Sequence, residues 1–387
     1  MMRGRTGAQQ GVSACDIRRT FGGLIAAALC LLSSGVVANS GLTSFTVDPG
    51  GPTTGTTQQP TGPSTRYTVS GPEICGLVTA TFDVIFLDGF DTQPSGLGPT
   101  LGTVTAPTFG VTPTISITNP SPPITLIGGL TQVSGTVSGP VDTGVVVNGV
   151  RAYVNNGQFL TPLMSVDPST TTLVATATTV DGLSATATNT VSSVPGVPAT
   201  TFTTGTPIGF AALPVQFRLA TNVAQTVQSV SVTFGDGNNY NGSSLGYLPV
   251  HTYATPGLYI ANATITFTSG SPQNASAMVM ALALSEQRNN LCSVYAYLRA
   301  QMVANNVSNA THALMGDLSV RLTPFFQALS TNSEIASVAA QLGSLAAGSI
   351  GLNAADIMAV RDVGNQVLGY PVHFARDANG VWRIDGM

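Results

Sequence analysis

The sequence has no lysine; its thirteen basic residues are all arginine, and only 8% of its 387 residues are charged. An average soluble chain is about 25% charged, so the polar surface here has to be built from hydroxyls and amides. The net charge of −4 and the lack of basic clusters argue against nucleic acid as a partner. Histidine is also scarce, at three, with four cysteines and one tryptophan. No serine stands in a G-x-S-x-G elbow, no His/Cys pair has metal-ligand spacing, and no phosphate-cradling glycine loop opens a helix. No catalytic, metal-binding or cofactor-binding set is therefore expected. Beyond Ala38 no apolar run is long enough to span a bilayer, so no membrane span is expected once the leader is removed.

What is present begins with an export signal. Arg18-Arg19 precede the apolar run Phe21 to Ala38, and Val36 and Ala38 are small enough for cleavage after Ala38. Residues 1–38 read as a signal peptide, giving a periplasmic, cell-surface or extracellular protein. Arg18-Arg19-Thr20-Phe21 also resembles a twin-arginine signal, although Ile17 and Gly22 depart from that pattern and favour general secretion. The alternative is an uncleaved anchor. Cys15 and Cys30 leave with the signal, so Cys75 and Cys292 remain. In an oxidising compartment these two can pair, or each can be buried as a separate thiol.

Composition divides the rest. Residues 39–70, rich in Gly, Thr and Pro, read as a linker. Residues 71–111 hold one compact apolar run, Leu77 to Phe90, read as a short β segment. Asp83, Asp88 and Asp91 lack the spacing of a calcium loop and read as solvated turn residues. In residues 112–194, Asn148-Gly149, Asn156-Gly157 and Asp181-Gly182 each separate alternating segments, the strongest local hairpin signal. Val145 to Val154 resembles the V-x-V-N-G-V-x-A-x-V centre of the bacterial immunoglobulin-like modules found beside glucodextranase. That resemblance implies a β-sandwich.

Residues 198–284 carry the most specific pattern. Val230, Val232 and Phe234 alternate with Ser231 and Thr233, then Gly235-Asp236-Gly237 turns the chain. His251-Thr252-Tyr253 and Pro256-Gly257-Leu258-Tyr259 follow, and Tyr259, Ala261, Ala263, Ile265 and Phe267 mark a second buried face. These residues resemble the PKD domain, whose signature is W-x-F-G-D-G followed by H-x-Y-x-x-x-G-x-Y. The resemblance implies an immunoglobulin-like sandwich, with a smaller core plug because Val232 stands where the family commonly has tryptophan.

Past residue 284 the period becomes helical. Ser285 is placed to cap a helix carrying Leu291, Val294, Tyr295, Leu298 and Met302. Ser308 or Asn309 starts a second helix, interrupted by Pro324, and Asn332 or Ser333 a third. Three short strands are expected at 356–361, 370–376 and 381–384. The ending Phe374 to Ile384 resembles the last hairpin of nuclear-transport-factor-2-like (cystatin-like) domains. Residues 285–387 therefore read as a small α+β unit, helices first and antiparallel sheet after. The resemblance implies a pocket that Tyr295, Phe326, Tyr370, His373 and Trp382 would line. It also makes His373 with Asp356 or Asp362 the best acid–base candidate, weighed against a plain surface histidine.

The whole chain thus reads as mostly β: two tandem immunoglobulin-like sandwiches, then α+β. The function expected is a secreted, non-catalytic modular protein that presents or binds a protein or polysaccharide at the cell surface. The alternative is a C-terminal small-molecule or enzymatic pocket carried on a β stalk.

Overall fold

The computed structural model describes strands 45–47, 65–72 and 79–86, then residues 108–387 apart from 123, 168, 169, 171, 364 and 365. The expected signal peptide, Cys75, Asp88, Asp91 and the side chains of Asp83 and Asp362 lie outside the described residues. The stretch expected as linker and short β segment contains β1 (Phe45–Val47), β2 (Thr65–Pro72) and β3 (Thr79–Phe86), with β2 and β3 paired as a hairpin.

The first sandwich is made of β4 (Thr114–Asn119), β5 (Ile124–Ile127), β6 (Leu130–Thr131), β7 (Ser134–Ser138), β8 (Gly144–Val147), β9 (Val150–Asn155), β10 (Gln158–Leu160), β11 (Met164–Ser165), β12 (Thr172–Thr178) and β13 (Ser184–Val194). Its main path runs β4-β7-β10-β9-β8-β12-β13-β5. Asn148 and Gly149 (φ 45° and 81°) and Asn156 and Gly157 (49° and 70°) both take left-handed backbone, which matches the twist of the strands they join. β4 lies back against β12 and β13, closing the layers over Val133, Val145, Phe159 and Leu173. Each such side chain contributes roughly 1.5–3 kcal/mol by leaving water.

The second sandwich follows as β14 (Thr200–Thr204), β15 (Ile208–Phe210), β16 (Leu213–Val215), β17 (Phe217–Thr221), β18 (Val227–Thr233), β19 (Asn239–Gly242), β20 (Gly246–Tyr247), β21 (His251–Tyr253), β22 (Gly257–Phe267) and β23 (Gln273–Leu282). The larger sheet runs β15-β23-β22-β18-β19 and the smaller β14-β17-β20. Val232 is fully buried and sits opposite Ala263 in the register. The same core holds three phenylalanines: Phe217 stacks on Phe202 at 4.8 Å and meets Phe234 at 5.7 Å.

Then come α1 (Leu284–Val303), α2 (Val307–Ala310), a 3-10 turn, α3 (Gly316–Thr331) and α4 (Ile335–Gln341). The sheet that follows has β24 (Ser344–Ile350), β25 (Ala354–Val363), β26 (Gln366–Arg376) and β27 (Trp382–Gly386). Its order is β1-β26-β25-β24, with β27 also on β26. The chain is thus mostly β, with helices preceding an antiparallel sheet at the end. Several details depart from the sequence reading. Ser285 lies inside α1, whose N-cap is Ala283 with no side-chain cap bond; the Ala283 N–H instead donates to Asn155 Oδ1 of the first sandwich at 2.7 Å. The helix expected from Ser308 or Asn309 is two pieces, α2 from Val307 and α3 from Gly316, and α3 continues through Pro324. The N-cap of α4 is Glu334 and not Asn332 or Ser333. Four strands stand where three short ones were expected: β24 is additional, and β25 and β26 extend beyond 356–361 and 370–376.

Candidate functional site

The PKD-like turn is consumed by its own architecture. Between β18 and β19, the Asp236 carboxylate accepts from Asn238 N–H at 3.0 Å, Asn238 Nδ2 at 3.1 Å and His251 Nε2 at 2.8 Å. Burial raises the Asp236 pKa, but the two Asn238 bonds and His251 outweigh it and hold the carboxyl below its usual value. The His251 ring lies flat on Phe234, 4.0 Å between centroids, and edge-on to Tyr253 at 4.7 Å. Tyr253 donates its hydroxyl to Phe234 O at 3.0 Å and stacks on Tyr259 at 4.5 Å. Burial drives the Tyr253 hydroxyl well above its usual pKa. The Asp236 carboxylate, His251 Nε2 and the Tyr253 hydroxyl thus each hold the turn in place.

Of the five residues expected to line a C-terminal pocket, four share one core and the fifth, His373, lies apart from them. Tyr295, Phe326 and Trp382 are buried within the core between helices and sheet, and Tyr370 packs against it half-buried. Tyr295 donates its hydroxyl to Leu342 O and lies 3.3 Å from the Tyr370 hydroxyl. His373 alternates with buried Val372 and Phe374 and so faces the other way. It does meet one expected partner: its Nδ1 bonds the Asp356 carboxylate across β25 and β26. Both side chains are open to water, 46% and 68% exposed, so nothing around them excludes solvent from the pair.

A buried cluster that the sequence did not disclose joins the first sandwich to the C-terminal unit. The Arg376 guanidinium sits between two rings, 5.0 Å from Tyr153 and 5.1 Å from Trp382. Its Nη2 donates to Gln287 Oε1 at 2.9 Å, and Arg151 Nη1 donates to Arg376 O at 3.1 Å. Burial lowers the Arg376 pKa to about 10, which leaves it charged at neutral pH. Nearby, the Asp142 carboxylate accepts from Val180 N–H at 2.6 Å and Ser293 Oγ at 3.3 Å, and burial raises its pKa. Arg383 donates to Asp377 Oδ2 at 3.0 Å and to Val180 O at 2.7 Å. The two sandwiches also dock on each other, with the Gln132 carboxamide pairing with Met278 N and O at 2.9 and 3.0 Å.

A recess of about 220 Å³ opens between the β7–β8 turn and Glu286. The Glu286 carboxylate already accepts from Asn156 N–H at 2.7 Å, and burial raises its pKa. Cys292 on α1 is buried and disulfide-bonded; Cys75, the possible partner named from the sequence, lies outside the described residues. Among the described residues no three of His, Cys, Asp and Glu are grouped to hold a metal ion. No helix among them is long and apolar enough to cross a membrane.

The fold and its turn define a modular protein of the immunoglobulin-like β-sandwich class. Within it, residues 197–282 match the family model of the PKD domain. No curated protein matches the chain. Similar solved structures include the fibronectin(III)-like modules of Clostridium thermocellum CbhA, 12% identical, TM-score 0.18, over 44% of this chain and 94% of that one. The Ig1-2 module of the Drosophila receptor protein tyrosine phosphatase DLAR is 13% identical, TM-score 0.20, over 45% of this chain and 100% of that one. A tetra-tandem repeat from the extending region of a large adhesion protein is 18% identical, TM-score 0.17, over 44% of this chain and 49% of that one.

Proposed function

We propose that this is an exported, non-catalytic modular protein whose sandwiches present or bind a protein or polysaccharide partner at the cell surface. One observation carries the reading. The residues that mark the PKD match, Asp236, His251, Tyr253 and Tyr259, each make a side-chain hydrogen bond that holds the turn or its neighbours. What such a module offers a partner is sheet surface, since function is read from a site and not from a fold. The disulfide at Cys292 and the leader-like start of the sequence support an oxidising, extracytoplasmic destination.

The mature chain, residues 39–387, applied to a glycan array and to pull-downs from surface extracts is expected to retain one partner class. Retention of nothing would overturn the reading.

A further inference from the structure

The outer face of the larger sheet in the second sandwich has two halves. One half is apolar and already used: Met280 and Leu282 are buried there, Leu258 and Met278 pack beside them, and Leu160 of the first sandwich joins the same cluster. The other half, continuous with that interface, is open. In one register row, Asn241, Ser231, Thr264 and Asn274 stand side by side across β19, β18, β22 and β23. The next row toward the Asp236 turn repeats the chemistry through Thr233 and Asn262, both exposed. None of these four strands contains a charged residue. Strand spacing makes each row roughly 14 Å wide, with rows about 7 Å apart.

We propose that this open half binds a neutral polysaccharide laid flat across the four strands. The inference rests on the binding-module reading above and names its surface and partner. Chemistry selects the occupant. A charged polymer would bring ions against a surface with no counter-charge, losing hydration without recompense. A protein partner needs a buried aromatic or aliphatic anchor at the centre. Among these strands the exposed large apolar side chain is Ile260, at the boundary with the docked half. A polyol both donates and accepts, as this surface does. Thr264 Oγ1 donates to Asn274 Oδ1 at 2.8 Å, which leaves the Asn274 amide hydrogens to donate outward and the threonine oxygen to accept.

The test is depletion of the mature chain from solution by cellulose, chitin and starch, with alginate as the anionic comparison and light scattering to detect self-association. At least one neutral polymer is expected to deplete it, equally in low salt and in 1 M salt, because no ion pair is involved. Ser231→Glu with Thr264→Glu is expected to weaken that binding about tenfold or more by placing unpaired charge against the polymer. Thr264→Val, which keeps the side-chain shape, should weaken it by a smaller factor and guards against a folding defect in the double variant. Thr188→Glu, on the exposed face of β13, should bind as the parent does. Unchanged binding by both row variants overturns the surface. Binding to alginate alone, self-association alone, or capture of a protein with no neutral polymer bound overturns the polysaccharide while leaving the binding-module reading intact. Retention by nothing at all overturns both.

Discussion

Arg376 and Trp382 share one acceptor: Gln287 Oε1 receives Arg376 Nη2 at 2.9 Å and Trp382 Nε1 at 3.3 Å, with the guanidinium stacked over the indole. Tyr153 closes the other side of the cation, so the first sandwich and the C-terminal sheet meet over a fully buried charge. Arg376→Ala removes the stacked group and leaves the Gln287 oxygen short of a donor, which should cost roughly 2–4 kcal/mol. Arg376→Met keeps the volume and dispenses with the desolvated charge, so its cost should stay under about 1.5 kcal/mol. Urea midpoints of the two variants check the contrast; equal losses would contradict it.

Gly144 makes the same contact depend on close backbone approach. A Cβ there would lie 2.4 Å from the Gly380 carbonyl carbon, closer than atoms can pack. Gly144→Ala should cost about 1–3 kcal/mol and loosen the C-terminal unit from the first sandwich. Calorimetry is expected to show one transition in the parent and two in the variant.

The acid limb of the stability curve reports the PKD-like turn. The Asp236 carboxyl titrates below its usual 3.8 when folded. Its contribution to stability is therefore present above pH 3.8 and lost as the pH falls through the folded value. Asp236→Asn should be less stable at neutral pH and show a flatter loss of stability below pH 3.8. Identical slopes in parent and variant would refute the assignment.

We propose that the partner of Cys292 is Cys75. Peptide mapping without reductant should recover the two in one linked fragment, and Cys75→Ser should lower stability by about 3–5 kcal/mol, as expected for so long a loop. A fragment linking Cys292 to Cys15 or Cys30 would contradict the pairing.

Much of this architecture could be read from local chemistry. Asn148-Gly149 and Asn156-Gly157 announce their hairpins because few other residues take left-handed backbone cheaply. The alternation of Val230, Val232 and Phe234 set the buried face of β18 for the same reason of period. What stayed hidden depends on contacts distant in sequence. The N-cap of α1 is Ala283, held by Asn155 of the first sandwich and not by a local cap, so Ser285 looked like the natural start. Tyr153, Gln287 and Arg376 come together from three separate elements with no shared spacing. Gly348 reads as a strand breaker, yet a Cβ there would sit 2.0 Å from Asp356 O; its lack of a side chain is what lets β24 pair with β25. His373 was matched with Asp356 or Asp362 through the family resemblance and not through spacing; that Asp356 is the one across the strand pair, and that both side chains are exposed, followed from the fold.

A purely binding role requires that a captured ligand leave the protein unchanged. Mass spectrometry of ligand recovered after prolonged incubation with the mature chain is predicted to show the starting compound alone, in the parent and in His373→Ala alike. A converted product that disappears with His373→Ala would show that the exposed imidazole–carboxylate pair performs chemistry and that a purely binding role is wrong.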